Sequence, residues 1–213
     1  MRIFGLAAAL AVAVALSGCA GGPQNGPDST PEEAAAATYR HDGPPAITLY
    51  TMINNRSGSG AHTSIMVNGS QRVIFDPAGS VRFAGVPEIG DVLYGVTPTI
   101  ERFYESAHAR ETYHVRIQHI EVPAATAELA LRLVQQNGSV APAACTTATS
   151  AILQQLPGFG SISRVLFPNK LADQFATLPG VTERKLYEND SDDKAIAIAE
   201  LEQRLRTRDQ AGQ

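Results

Sequence analysis

The sequence predicts an α+β domain: an antiparallel sheet packed against a helix that opens on a cysteine. Three observations carry this. Two β-branched runs, 47–53 and 62–67, are followed by Asn68-Gly69 and a third run, 72–76, which reads as a hairpin. Helical and alternating segments then follow in turn over 98–136. Finally, Ala144-Cys145-Thr146-Thr147-Ala148-Thr149 opens a segment with apolar residues at helical spacing.

Taken in order, Ile-Thr-Leu-Tyr-Thr-Met-Ile over 47–53 has the β-branched content and alternation of a strand. Asn54 to Gly60 is a polar, Gly- and Ser-rich loop, and His62 opens the next strand. Ser70-Gln71 lengthen the turn before 72–76, and Asp76-Pro77-Ala78-Gly79 breaks the chain away. The stretch 98–109 is a helix with Ile100, Phe103, Tyr104 and Ala107 on one face and Thr97 as its cap. Alternation over 112–122 gives a strand, and Pro123 starts a helix over 124–136 that Asn137-Gly138 stops. The cysteine helix runs over 145–156, with a stripe of Ala148, Ala151, Ile152 and Leu156, and ends at Pro157-Gly158. A helix over 171–178, a strand over 181–187 and an amphipathic helix over 193–208 complete the chain, the last with an acidic start and a basic end.

Apolar residues make up 44% of the 213, enough for a core, and the formal charge of −4 leaves no basic footprint for nucleic acid. Met1-Arg2 followed by an apolar run to Leu16 is too short to span a membrane, which takes about 20 apolar residues, and reads as a secretory signal. Leu16-Ser17-Gly18-Cys19 resembles the lipobox of bacterial lipoproteins. That resemblance implies cleavage before Cys19, acylation of its thiol and new amine, and, from Ala20, the outer membrane. The alternative is an ordinary secretory signal with a chance cysteine. The expected division is a signal over 1–18, a flexible Gly-, Pro- and Ala-rich tether over 19–45, a folded domain over 46–188 and a charged amphipathic tail over 189–213. The segment 31–37 is a short helix with no evident packing partner.

With Cys19 lipidated, Cys145 is the one thiol left in an oxidising compartment, either buried and inert or reactive. A helix N-terminus lowers a thiol pKa and offers amides to an oxyanion, so the position suits a nucleophile. His62, at a strand end, is the candidate general base or else a half-buried strand histidine. Asp76, ending the paired strand, either accepts the second imidazole N–H, serves as a turn residue before Pro77, or does both. His41 falls in the tether and His108 among charged neighbours. His114 and His119, five apart on a strand, face opposite ways, so no metal site and no cofactor is expected. No phosphate-binding loop or Gly-x-Ser-x-Gly elbow is present.

The residues 60–69 (Gly-Ala-His-Thr-Ser-Ile-Met-Val-Asn-Gly), 73–79 (Val-Ile-Phe-Asp-Pro-Ala-Gly) and 144–149 together resemble circularly permuted papain-like proteins of the NlpC and lecithin-retinol-acyltransferase superfamily. In them a histidine opens one strand, a polar residue lies on the next and the cysteine helix comes much later. The resemblance covers about 46–156. It implies a papain-like sheet-and-helix fold in permuted order and a site of Cys145, His62 and a third polar residue, here Asp76. Relatives often carry His, Asn, Gln or Glu as that third residue, and an aromatic or Asn before the cysteine where this chain has Ala143-Ala144.

The expected function is that of an envelope-anchored thiol hydrolase or acyltransferase acting on an amide, ester or thioester, with cell-wall peptide or an acyl group as substrate. Cys145 attacks, His62 moves the proton and Asp76 orients it. Its partners are the lipid membrane, through acylated Cys19, and that substrate. The alternative is a non-catalytic envelope lipoprotein that uses the same fold for binding or assembly.

Overall fold

The computed structural model describes residues 28–79 and 81–211. The signal, Cys19 and the first part of the tether lie outside the described residues. Among the described residues the fold is α+β, with a seven-stranded antiparallel sheet and six helices. In chain order these are α1 (Pro31–Ala36), β1 (Ala46–Asn54), β2 (Gly60–Asn68), β3 (Arg72–Phe75), β4 (Glu88–Ile89), β5 (Val92–Leu93), α2 (Pro98–His108), β6 (Tyr113–Glu121), α3 (Ala124–Asn137), α4 (Cys145–Leu153), α5 (Pro168–Ala176), β7 (Thr182–Leu186) and α6 (Lys194–Ala211). The sheet runs β4-β5-β3-β2-β1-β6-β7.

The central strands are apolar on both faces because both faces are covered. Ile47 and Leu49 of β1, Ile65 and Val67 of β2, and Val73 and Phe75 of β3 point to one side. There they pack with Ile152 and Leu153 of α4, Leu131 and Val134 of α3, and Leu171 and Phe175 of α5. Their neighbours Tyr50, Met52, Met66 and Ile74, with Val115 and Ile117 of β6, face Ile100 and Tyr104 of α2 and Ala197 and Leu201 of α6. One face therefore holds the helix that opens on Cys145, and the other holds α2.

β3 is short for a local reason. Pro77 cannot donate to a ladder, and the Asp76 N–H turns instead to the Asp91 carbonyl at 2.8 Å. Pairing with β2 therefore runs only from Asn68 to Ile65, and among the described residues no strand lies beside residues 60–64 of β2 on that edge. This open half-edge is where the site forms.

Three features differ from the sequence expectations. First, the part of the tether from Asp28 onward is docked. Thr30 and Glu33 form a capping box, Ala34 is buried, and the Ser29 amide bonds to the Glu88 carbonyl at 2.8 Å. Its contact is made by a small side chain, which composition does not register. Second, β4 and β5 are strands of two residues joined by Gly90-Asp91, both with positive φ (56° and 64°), as a tight two-residue hairpin turn needs. Third, the C-terminal helix lies on α2, burying Ala197 and Leu201 and placing the Arg204 guanidinium 5.2 Å from the Phe103 ring centroid. Helix α4 is regular only to Leu153, and turns carry the chain on to Leu156. Helix α5 begins three residues earlier than expected, at Pro168. No helix among the described residues is long and apolar enough to cross a membrane.

Candidate active site

His62 sits on the open half-edge of β2, and its strand parity sends the ring to the α2 face of the sheet. There His62 Nε2 meets Asp76 Oδ1 at 2.6 Å. Asp76 is placed by the turn that ends β3 and is buried. The same oxygen accepts the Tyr104 hydroxyl of α2 at 2.8 Å, and that hydroxyl lies 2.7 Å from Ser64 Oγ. Gly79 closes the turn beneath Asp76, and a β-carbon there would run into the Asp76 carboxylate.

Cys145 comes from the opposite side. It is the first residue of α4, whose apolar residues Ile152 and Leu153 fix the helix on the other face of the sheet. Its thiol reaches the open edge of β2, within electrostatic reach of His62 and the Thr63 amide, both of which favour the thiolate. Thr146 Oγ1 lies 3.8 Å from the sulfur. With His62 Nε2 engaged by Asp76, Nδ1 is the ring nitrogen left for the thiol. Helix α4 has no side-chain cap, so its first-turn amides remain available to negative charge. The residue two before the cysteine, Ala143, has φ 64°, a left-handed conformation that costs a non-glycine residue about 1–2 kcal/mol. Strain of this kind concentrates at functional sites.

The electrostatics follow from this geometry. Burial alone would push the His62 imidazole down, but the charge and hydrogen bond of Asp76, then those of Cys145, hold it up at about 9. Burial works to raise the Asp76 carboxyl, yet the charge and hydrogen bond of His62, with His108 and the Tyr104 hydroxyl, bring it down to about 2. Burial likewise raises the Cys145 thiol, and the hydrogen bond and charge of His62, with Thr146 and the Thr63 amide, leave it below the ordinary thiol value. A thiolate beside an imidazolium is the state these directions favour.

No family model matches the chain, and no curated protein or solved structure matches it. The site therefore stands on its own geometry.

The structure brings Cys145, His62 and Asp76 together; Cys19 lies outside the described residues. It also adds three residues that the sequence reading passed over. His108, one turn after Tyr104, stacks near His62 with ring centroids 6.1 Å apart, and its Nδ1–H donates to the Tyr104 carbonyl at 2.8 Å. Burial, against the pull of Asp76, drives it down to about 3, so it is neutral at pH 7. The helical stripe Ile100, Tyr104 extends at i+4 to His108 and was the signal available. Asp91 joins the two halves of the site. Its Oδ2 accepts the Ala78 amide, in the Asp76 turn, and the Val140 amide, in the approach to Cys145, each at 2.8 Å. Beside it, a β-carbon on Gly90 would stand 3.1 Å from Gly138 Cα, so the β4–β5 turn lies directly against that approach. Gly79 is the third.

His62, Asp76 and His108 offer ligand atoms within 4.8 Å of one another, the donor set of a small divalent-cation site. These residues come from three separate elements, so no sequence spacing announces the set. The 2.6 Å bond between His62 and Asp76 uses two of the three donors against each other. The remaining histidines are elsewhere: His41 bonds the Gly43 amide, His114 bonds Asn55 and stacks on Tyr187, and His119 bonds Thr48.

Proposed function

We propose that this chain is an envelope-anchored thiol hydrolase or acyltransferase, carried by Cys145, His62 and Asp76 on a permuted papain-like fold. One observation carries the reading: a single imidazole is bonded to a buried carboxylate through Nε2 and lies close enough to a thiol at a helix N-terminus for each to shift the other's titration. Asp76 fixes the ring and stabilises its protonated form. The Cys145 thiolate attacks the carbonyl carbon of an amide, ester or thioester, and the C=O π pair moves to oxygen. Free amides at the start of α4 receive that oxyanion. His62 then donates its proton to the leaving nitrogen, oxygen or sulfur as the bond to carbon breaks, giving an acyl-thioester. Water or an acceptor alcohol or amine, deprotonated by His62, releases the acyl group. The lipobox at Cys19 and the permuted order His62, Asp76, Cys145 support the envelope location and the family.

Alkylation of Cys145 by iodoacetamide across pH tests this. The expected result is a thiolate that reacts below the ordinary thiol pKa, abolished or moved alkaline in His62→Ala. Ordinary reactivity that ignores His62 would refute it. A second reading, a non-catalytic lipoprotein using the fold for binding, is favoured by the low exposure of Cys145 (7%) and by the outward-facing Leu166 and Phe167 (70% and 68% exposed). An unreactive thiol in the folded protein is the outcome it expects.

A further inference from the structure

Leu166 and Phe167 face outward side by side, on the loop that leads into α5. Single exposed apolar residues are ordinary, but the core stops at Val165 and Pro168 on either side of this pair and leaves both members in water. The loop is firmly seated. The Val165 amide donates to Ser150 Oγ of α4 at 3.2 Å, and Asn169 Nδ2 donates to the Gly58 carbonyl at 2.8 Å. A β-carbon on Gly60 would stand 2.7 Å from Pro168 Cβ, so the loop lies against the start of β2. Tyr187, also exposed, is at the same end of the sheet: it stacks on His114, which bonds Asn55 in the loop between β1 and β2. A cavity of about 260 Å³ beside His62, lined by Ala61 and Tyr113 among others, lies at this end too.

Charge around the pair is one-sided. The chain has no acidic residue between Glu128 and Asp173, and Arg164 and Lys170 bracket Leu166 and Phe167. Both cations are exposed, as is Arg56 in the neighbouring loop, and none of the three is in an ion pair among the described residues. On this face of the sheet Asp173 and Glu183 both pair with Arg116. The acidic run from Glu188 lies instead with α2 and the start of α6. Glu188 accepts from Ser106 of α2, Asp190 stands against Arg110, and Asp192 accepts from Thr112. Glu111, whose amide donates to the Asp190 carbonyl, is beside them.

The tether says what lies over the pair. Between Cys19 and Asp28 the chain spans at most roughly 32 Å even when fully extended. Asp28 is held to the domain, its Oδ2 accepting the Gly90 amide at 3.2 Å. Gly90 is in the β4–β5 turn, which packs against the approach to Cys145 and so points to the same end of the sheet. Strand β4 lies three strand spacings, about 14 Å, from β2. An acylated Cys19 therefore keeps the bilayer within reach of this end. We infer that Leu166 and Phe167 insert into the headgroup layer of an anionic bilayer, with Arg164 and Lys170 on lipid phosphates, so that the domain lies on the membrane by this loop. Aromatic and aliphatic side chains seat at that depth, and each cation near the surface adds attraction to anionic lipid. The reach depends on the lipoprotein reading of Cys19; the apolar pair and its flanking cations do not. Docked in this way, the Cys145 site is held beside the bilayer surface.

The chain contains no tryptophan, so Phe167→Trp supplies a single reporter at an exposed position. The full acylated protein carrying it is reconstituted in mixed vesicles of phosphatidylethanolamine and phosphatidylglycerol, with and without bromine on the acyl chains. The expected result is emission shifted blue and quenched by the brominated lipid, with a reporter at Ile196→Trp, on α6 beside the acidic run, left unquenched. Unquenched Phe167→Trp emission overturns the inference, and so does quenching at both positions. A blue shift that follows protein concentration and ignores bromine assigns the pair to a second copy of the chain and also overturns it. Arg164→Gln with Lys170→Gln should lower the docked-to-free ratio about thirtyfold, from two cations near an anionic surface. A ratio that ignores both substitutions overturns the lipid assignment. Mass spectrometry of the purified protein separates the loop from the anchor. If Cys19 carries no acyl group, the anchored reading fails and the loop stands on saturable bromine quenching of the unacylated chain, whose absence overturns the inference. Docking in a protein whose Cys145 is unreactive keeps the membrane surface and removes the hydrolase.

Discussion

Replacing Asp76 by Asn changes the charge of one buried atom group and keeps its shape. The Asn carbonyl still accepts the Tyr104 hydroxyl, so the turn closed by Gly79 has no steric reason to move. What changes is the protonation of His62. Its rise from 6.5 to about 9 means the folded surroundings favour imidazolium by about 3 kcal/mol, at roughly 1.4 kcal/mol per pH unit. Asp76 supplies the largest favourable share, and burial opposes it. With Asp76 neutralised the burial penalty remains and only Cys145 still holds the ring up, so His62 should titrate well below its wild-type value and the imidazolium fraction near pH 7.5 should fall. Cys145 loses the cation that lowers it and moves alkaline. Iodoacetamide alkylation against pH reads this directly: wild type reacts at lower pH than an ordinary thiol, and the Asp76→Asn profile moves alkaline of wild type. Stability follows with a definite sign. The raised His62 contributes fully below pH 6.5 and fades as pH climbs through about 9. The lowered Asp76 contributes above about pH 4 and fades as pH drops through about 2. The stability gap between wild type and Asp76→Asn should therefore be widest between about pH 4 and 6.5. Superimposable alkylation profiles, with both proteins folded, would refute the reasoning.

Other perturbations act on the supports of the site. Tyr104→Phe removes the hydroxyl that donates to Asp76, which should raise that carboxyl and cost about 1 kcal/mol at neutral pH, seen as a shallower loss of urea resistance between pH 4 and 2 than in wild type. Gly79→Ala places a β-carbon against the Asp76 carboxylate, and thermal unfolding should show a loss of about 1–3 kcal/mol with alkylation moved alkaline as in Asp76→Asn. Asp91→Ala frees the Ala78 and Val140 amides together and puts Ala at φ 64°; a loss of about 2–4 kcal/mol and slower Cys145 alkylation are expected. Asp91→Asn, which tolerates that conformation, should lie closer to wild type. Phe75→Ala empties the core under the end of β3, and chemical denaturation should register about 3–5 kcal/mol.

Periodicity was enough for the elements that bury a long apolar face. Strands β1, β2 and β6 and helices α2, α3 and α4 carry large side chains at regular spacing, and their bounds match within a few residues. It failed where the contact is made by small groups or by backbone. Ala34 docks α1 with a single methyl, and β4 and β5 are too short to show alternation, although Gly90-Asp91 between Ile89 and Val92 is a hairpin-turn pair. The three principal site residues were legible because each has a chemical type and a place at the end of an element. Asp91 was not, since its role depends on which loops meet in space. His108 was half legible, on the right helical stripe but masked by charged neighbours.

The cavity wall draws on both ends of the domain, from Met52 in β1 to Lys194 at the start of α6. The His62–Asp76 pair is made by one hairpin and its turn, early in the chain, whereas Cys145 comes later and Lys194 later still. Growing from its N-terminus, the polypeptide thus completes the His62–Asp76 pair before Cys145, and the Lys194 side of the cavity last of all. A truncated product would carry Cys145 without that side. The cavity beside His62 is complete only when the last helix has been made and has folded back onto α2.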